Sequence, residues 1–281
     1  MRIAVLGMGR MGKALAGRLL EGGHEVVVWN RSKGKTGDLV AAGAKEADEV
    51  AQAAAGADVV ISILANDDAV RAVALGDGGV RSAIGADAVY ANASTVSPAL
   101  SEQLEEAFPA FVAMPILGAP GAVAEGKAVY LAGGRAAAVE RLQPVLAALA
   151  TTVRRYDAAP LASAAKLASN LLLLCEVVAL AEAFAVGRAG GLSDDQLREL
   201  LGESPLVSAL KNRFEGILTG EHDSWWTTVL GAKDARLAVE VARAAGIDTP
   251  EIDVAARRYE EAAERGLADA DIAAVTLLYR R

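Results

Sequence analysis

Hydrophobic positions in the first half of the chain cluster in short β-rich runs, separated by longer stretches with helical spacing. Ile3–Leu6, Glu25–Trp29, Val59–Leu64 and Ala88–Ala91 are such runs, and Met11–Leu20 and Glu46–Ala55 between them are alanine-rich with helical periodicity. A β-rich run of this length reads as a buried strand. Strands alternating with helices imply βαβ units and a parallel sheet covered by helices on both sides. Ala110–Ile116 and Ala128–Ala132 add two strand candidates, and Ala136–Ala150 adds a helix. After Pro160 the pattern changes. Ala162 to Ala189 reads as one long helix stopped by Gly190-Gly191, and Ser193-Asp194 caps the next. Helical spacing continues through Gln196–Leu201, Ala232–Ala245 and Ile252–Arg265, with no strand pattern. The expectation is an α/β domain over 1–158 followed by an all-α domain over 159–281, without internal repeats or a low-complexity linker.

A length of 281 residues agrees with two domains at about 150 residues each. Apolar residues make up 53% of the chain, much of it alanine, which excludes intrinsic disorder and favours closely packed helices. A net charge of −8 and a pI near 5.0 argue against a nucleic-acid partner. The single cysteine excludes an internal disulfide framework, and two separated histidines exclude a His-rich metal site. Cys175 reads as a small buried apolar residue, His24 as structural and His222 as a loop residue without an acid partner, so no metal is expected. Met1-Arg2 leads straight into Ile3, with no export signal. The greasiest stretch, Leu171–Val186, is interrupted by Glu176 and Glu182 and reads as a buried helix rather than a membrane span. These features predict a cytoplasmic protein with no membrane partner.

Candidate chemistry begins at Gly7-Met8-Gly9-Arg10-Met11-Gly12, which follows the first strand and opens the first helix. Glycine-rich turns are common, but the strand, turn, helix and second strand here fit within about 30 residues, the context of a dinucleotide site. Gly7 permits the tight turn, Gly9 lets backbone approach a pyrophosphate, and Gly12 lets helix and strand pack closely. The helix N-terminus offers N–H donors and partial positive charge, whereas a plain tight turn would need neither. The second strand ends at Asn30-Arg31-Ser32-Lys33, with Lys35 beyond. An NAD site usually places Asp or Glu there for the ribose 2′-hydroxyl. Neutral Asn30 beside Arg31, Ser32 and Lys35 suits a 2′-phosphate instead, so NADP(H) is expected over NAD(H); a solvated basic loop is the plain alternative.

Lys166 and Asn170 stand at i and i+4, on one face of the long helix. The apolar neighbours Ala164, Ala165, Leu167 and Ala168 imply a partly desolvated ammonium with a lowered pKa, suited to proton transfer at a carbonyl oxygen. A lysine whose stem lies along apolar surface at a domain boundary is the structural alternative.

With Ala93-Ser94-Thr95-Val96-Ser97-Pro98, the glycine-rich Gly121–Gly126, Lys166-Leu167-Ala168-Ser169-Asn170 and Lys233-Asp234, these motifs stand in one order along nearly the whole chain. In this the sequence resembles the β-hydroxyacid dehydrogenase family, relatives of 3-hydroxyisobutyrate dehydrogenase and glyoxylate/succinic semialdehyde reductase. The resemblance implies a Rossmann-like NAD(P) domain, a helical second domain and a site in the cleft between them. It makes Lys166 the catalytic residue, with Asn170 positioning it and the substrate. Ser94 would bind the substrate's acid group, Thr95 the nicotinamide half of the cofactor, and Leu64 and Lys233 would also contact the cofactor. A helix cap ahead of Pro98 is the structural alternative for Ser94 and Thr95. The family usually carries Ser-Gly-Gly where this chain has Leu117-Gly118-Ala119. Backbone N–H groups at Gly118 and Ala119 remain for an anion, but Leu117 makes the pocket less polar. Trp225-Trp226 either shapes that pocket or packs in the core. The implied activity is NADP(H)-dependent hydride transfer on a small hydroxy acid or semialdehyde, by a homodimer or homotetramer. Two alternatives are an imine reductase, favoured by Leu117 and opposed by Lys166, and a non-catalytic NADP-binding protein, opposed by Lys166, Asn170 and Ser94 together.

Overall fold

The computed structural model of the protein describes residues 1–202, 204, 210–244 and 246–280. It divides within one helix into two compact units, Met1–Lys166 and Leu167–Arg281.

The first unit is built on β1 (Arg2–Leu6), β2 (Glu25–Trp29), β3 (Lys45–Glu46), β4 (Val59–Ser62), β5 (Val89–Asn92), β6 (Phe111–Ala113), β7 (Ile116–Leu117), β8 (Val129–Gly134) and β9 (Thr152–Tyr156). The first six are parallel in the order β3-β2-β1-β4-β5-β6. The chain winds outward from β1 to β3 and then returns to β4 on the other side of β1. That reversal creates a switch point, where ligands of open sheets bind beyond the carboxyl ends of the strands. Ile3, Ala4, Val5 and Leu6 are all fully buried, which explains why β1 is apolar without alternation. Ile3 and Val5 join Leu15, Leu19, Leu142 and Leu146 on one face; Ala4 and Leu6 join Tyr90, Leu100 and Phe111 on the other.

The run expected over Ala110–Ile116 is realised as two pieces of one strand. β6 and β7 share one edge of β8 in a single register, Val112 opposite Gly134 through Leu117 opposite Val129. Pro115 has no N–H to donate at the interruption, yet its carbonyl still accepts from Leu131 N–H at 3.0 Å. β9 takes the other edge of β8, parallel to it, and was not expected: Thr152, Arg154 and Arg155 are exposed, so no apolar period marks it. The helix expected from Glu46 starts only at Val50, because Lys45 and Glu46 pair with Val27 and Val28 as the sheet's edge. The strand expected at Ala88–Ala91 lies one residue later and so includes Asn92.

The long helix runs Ala159–Ala189. Its first turns lie directly on β8: a Cβ on Gly133 would stand 2.5 Å from the Ala158 carbonyl oxygen and 2.7 Å from Ala162 Cβ. Helix Pro98–Ala107 meets the same turns, with Ser101 and Ser163 hydroxyls 2.7 Å apart and Glu105 accepting from Ala159 N–H.

In the second unit the long helix is the core element. Leu174, Val177, Ala181 and Phe184 are buried among residues of Asp194–Gly202, Phe214–Thr219, Thr228–Ala244, Pro250–Ala262 and the 3₁₀ segment Ile272–Tyr279. Over Ala159–Arg188 this helix is long and apolar enough to cross a membrane, but within the unit its buried side chains form the centre of the packing. The glycine stop forms as expected, with Gly191 at φ +94° and Leu192 N–H donating to the Gly187 carbonyl at 3.0 Å. Ser193 and Gln196 exchange hydrogen bonds as a capping box for the next helix. Ala245, the expected end of a later helix, lies outside the described residues. Trp225 and Trp226 pack against the core of this unit. Their rings lie 4.2 and 5.8 Å from the guanidinium of buried Arg213, which pairs with buried Asp271 at 3.0 Å.

Candidate active site

The glycine turn distinguishes its three glycines by what a side chain would meet. Gly7 has φ +108°, and a Cβ there would lie 2.3 Å from the Ile63 carbonyl oxygen beyond β4. A Cβ on Gly12 would lie 1.9 Å from the Gly7 carbonyl oxygen. Both glycines are required by the fold. A Cβ on Gly9 would meet nothing within 4 Å, so no packing constraint demands glycine there and the backbone is open to close approach. Helix Arg10–Glu21 opens here with no acid in its first turn, leaving its positive end unopposed by its own side chains. A phosphate-bearing cofactor fits this cradle, with Gly9, Arg10, Met11 and Gly12 supplying backbone. Met8 is different, since its side chain is buried in the core and its N–H donates to Asn30 Oδ1 at 2.9 Å.

Asn30 joins the two halves of this region. Its Nδ2 donates to the Ser32 carbonyl at 2.8 Å, so both ends of the amide are engaged inside the protein and its role is to shape the loop. Arg31, Ser32 and Lys35 are exposed, and neither cation has an ion-pair partner among the described residues. Lys33 pairs with Asp48, whose carboxyl is held below its ordinary pKa by that lysine. The free positive charge of the loop therefore rests on Arg31 and Lys35.

Beyond β4 and β5 the loops are stitched together. Leu64 N–H donates to Ser94 Oγ at 2.8 Å, and Ser97 N–H and Oγ both donate to Asp67, at 3.1 and 2.5 Å. Ser97 is the residue that caps helix Pro98–Ala107, accepting from Leu100 N–H, so buried Ser94 and half-buried Thr95 stand ahead of the cap. The Leu64–Ser94 contact was not legible from residue order, because the partners come from separate strand ends. The Ser101–Ser163 bond ties the helix that follows Ser94 and Thr95 to the helix that carries Lys166, three residues past Ser163.

Leu117 lies at the end of β7, half-buried against the apolar cluster that also holds Ala159 and Ala162. Gly118 has φ +144°, a glycine conformation, and Ala119 precedes the short helix Pro120–Ala124. In the second unit Asn170 Nδ2 donates to Asp234 Oδ2 at 2.8 Å, and Lys233 Nζ lies 2.5 Å from Asp234 Oδ1. Asp234 is 4% exposed and Asn170 5%, so the carboxylate has two partners in a setting where an isolated charge would be costly. Asp234, which the sequence leaves between an ion partner and a helix-end acid, is the hub of this group. Lys166 precedes Asn170 by one helical turn on the same helix.

Two family profiles match consecutive parts of the chain. The NAD binding domain of 6-phosphogluconate dehydrogenase matches residues 2–157, and the NAD-binding domain of NADP-dependent 3-hydroxyisobutyrate dehydrogenase matches residues 161–279. The uncharacterized oxidoreductase YfjR of Bacillus subtilis is 34% identical over 98% of both chains. The 2-(hydroxymethyl)glutarate dehydrogenase of Eubacterium barkeri is 29% identical over 100% of this chain and 95% of its own. The crystal structure of 3-hydroxyisobutyrate dehydrogenase (ygbJ) from Salmonella typhimurium superposes with a TM-score of 0.91 at 25% identity, covering 99% of each chain.

Proposed function

The chain belongs to the β-hydroxyacid dehydrogenase family, an oxidoreductase family that uses a nicotinamide cofactor, and we propose that it is an NADP(H)-dependent dehydrogenase of a small hydroxy acid or the corresponding semialdehyde. The observation that carries this reading is the buried array Asn170–Asp234–Lys233, one helical turn beyond Lys166. Asp234 holds the amide nitrogen of Asn170, which turns the amide oxygen away from the carboxylate as an acceptor for a substrate hydroxyl or an ammonium. A helix needed only for packing has no use for that arrangement at this level.

NADP(H), when bound, supplies or accepts the hydride. Gly9, Arg10, Met11 and Gly12 hold its phosphates, and Arg31, Ser32 and Lys35 take the 2′-phosphate in the loop that Asn30 braces. Leu64, Thr95 and Lys233 complete the cofactor contacts. Lys166 donates a proton to the substrate oxygen in reduction and removes it in oxidation, the work of a positioned acid–base group. Ser94 Oγ accepts from Leu64 N–H, so its own proton is directed to the substrate's acid group. Gly118 and Ala119 offer backbone N–H groups to the same anion. We further propose a cytoplasmic enzyme without nucleic-acid or membrane partners that works as a C₂ dimer or a tetramer of dimers. The long helix supports the assembly, since Leu172 is 60% exposed and Val186 73%.

The test is NADPH and NADH consumption over glyoxylate, succinic semialdehyde, plain ketones and cyclic imines, with NADP⁺ reduction over 3-hydroxyisobutyrate and L-serine. A semialdehyde or hydroxy acid is expected to react best, with NADPH binding at least tenfold tighter than NADH, about 1.4 kcal/mol. Arg31→Ala should abolish most of that preference. Equal affinities would refute the reading of the basic loop, and turnover of cyclic imines alone would refute the substrate class.

A further inference from the structure

β4 and β5 and the turn beyond β5 hold a chain of buried polar side chains of which the mechanism above uses only the last. The Tyr90 and Ser62 hydroxyls lie 2.8 Å apart, Ser62 Oγ donates to Asn92 Oδ1 at 3.0 Å, and Ser94 N–H donates to the same oxygen at 3.3 Å. None of the four residues is more than 3% exposed. The directions are determined by the proton count. Asn92 Oδ1 faces two donors, so the amide cannot be reversed without setting its own N–H groups against them. Ser62 has one proton and gives it to Asn92, so Tyr90 must donate to Ser62. Burial pushes the Tyr90 phenol far above its ordinary pKa, which keeps that proton in place.

Asn92 Nδ2 is buried and has no acceptor among the described residues. Packing alone does not account for an amide in this position, since an apolar side chain would fill β5 without an unpaired donor. What Asn92 contributes is its oxygen, which receives the Ser94 backbone N–H in an Asx turn just past the strand end. Leu64 N–H meanwhile engages Ser94 Oγ as an acceptor. With the backbone N–H and the Oγ lone pair both engaged, the hydroxyl proton of Ser94 is left for the substrate contact assigned to it above.

We propose that Asn92 is a positioning residue for Ser94, and that the Tyr90–Ser62–Asn92 relay sets the direction in which Ser94 donates to a carboxylate or carbonyl oxygen of the substrate. This rests on the reading of Ser94 as a substrate contact. The relay acts on substrate binding and leaves the cofactor cradle and Lys166 unaltered.

The experiment is steady-state kinetics at saturating cofactor, the probe being whichever of 3-hydroxyisobutyrate, L-serine and succinic semialdehyde reacts fastest, on Asn92→Ala, Ser62→Ala, Ser94→Ala and the Asn92→Ala/Ser94→Ala double variant. Asn92→Ala should raise KM for the probe roughly tenfold, with kcat within about threefold and NADPH affinity unchanged. In the Ser94→Ala background the same substitution should add less than about twofold, because the two residues act through one hydrogen bond to substrate. Ser62→Ala removes one donor to Asn92 without touching Ser94; it should raise KM about threefold and decides the matter if Asn92→Ala does not fold. If Ser94→Ala raises KM and Asn92→Ala and Ser62→Ala do not, or if the Asn92 and Ser94 effects multiply, the relay proposal falls and the reading of Ser94 stands. If Ser94→Ala leaves KM unchanged, both fall together.

Discussion

Lys166 and Leu117 carry the two sharpest expectations about single side chains. If Lys166 moves the proton at the substrate oxygen, Lys166→Ala should lower kcat by roughly 10²–10⁴-fold and leave NADPH affinity nearly intact, as judged by turnover and by fluorescence titration of the cofactor. Turnover within a few-fold of the wild type would remove Lys166 from the mechanism. Leu117 stands where the family usually has serine, yet it lies half-buried against the apolar cluster under the first turns of the long helix. Two consequences can be separated. If its exposed part borders the substrate, Leu117→Ser should raise kcat/KM for glyoxylate relative to bulkier semialdehydes, since a hydrogen bond to a charged group contributes about 1.5–3 kcal/mol. If it serves packing alone, the preference stays fixed and only the melting temperature falls. Residues of this kind were legible to different depths. Gly7 and Gly12 announce themselves by spacing, and their reasons are visible as backbone within 2.3 and 1.9 Å of a missing Cβ. Asn30 was legible as a departure from an acidic residue, but its bond to Met8 N–H was not, because nothing in a sequence pairs a turn with a side chain 22 residues away. Asn92 was invisible for the same reason.

Among elements, legibility followed burial. β1, β2 and β4 carry the apolar runs Ile3–Leu6, Val26–Trp29 and Val59–Ile61 because helices cover both faces, and each was readable as a run of strand-forming residues. β3 and β9 lie at the sheet's edges with mostly exposed side chains, so backbone pairing rather than side-chain pattern defines them. β6 and β7 read as one run and pair as one strand with an interruption at Pro115. The element on which the proposed chemistry depends is the start of the long helix, seated on β8 at Gly133. Gly133→Ala would drive a Cβ into the Ala158 carbonyl, and overpacking of this kind costs about 1–3 kcal/mol. Its melting temperature should fall, and kcat should fall more than cofactor affinity because Lys166 rides on that helix. Gly17→Ala is the control. Gly17 lies within helix Arg10–Glu21 with nothing within 4 Å of a Cβ, so alanine there should stabilise by about 0.5–1 kcal/mol with kcat unchanged. Thermal melts of the two variants falling in the opposite order would contradict the packing described for both helices.

For the whole molecule, the two units divide the proposed work. The first holds the cofactor cradle, Ser94, Thr95 and Lys166; the second holds Asn170, Asp234 and Lys233, and the long helix is common to both. The apolar stretch of that helix that remains exposed predicts self-association, and sedimentation velocity at micromolar concentration should show a dimer or tetramer. A stable monomer would refute it. The central claim is that this chain passes hydride between NADPH and a substrate carbonyl carbon, and isotopic transfer tests it most directly. With NADPH deuterated at both C4 positions and succinic semialdehyde or glyoxylate as acceptor, the hydroxy acid formed should carry one deuterium on the carbinol carbon, with none exchanged to water. Product without deuterium at that carbon, or no reduction of either acid while a cyclic imine is reduced, would contradict the account.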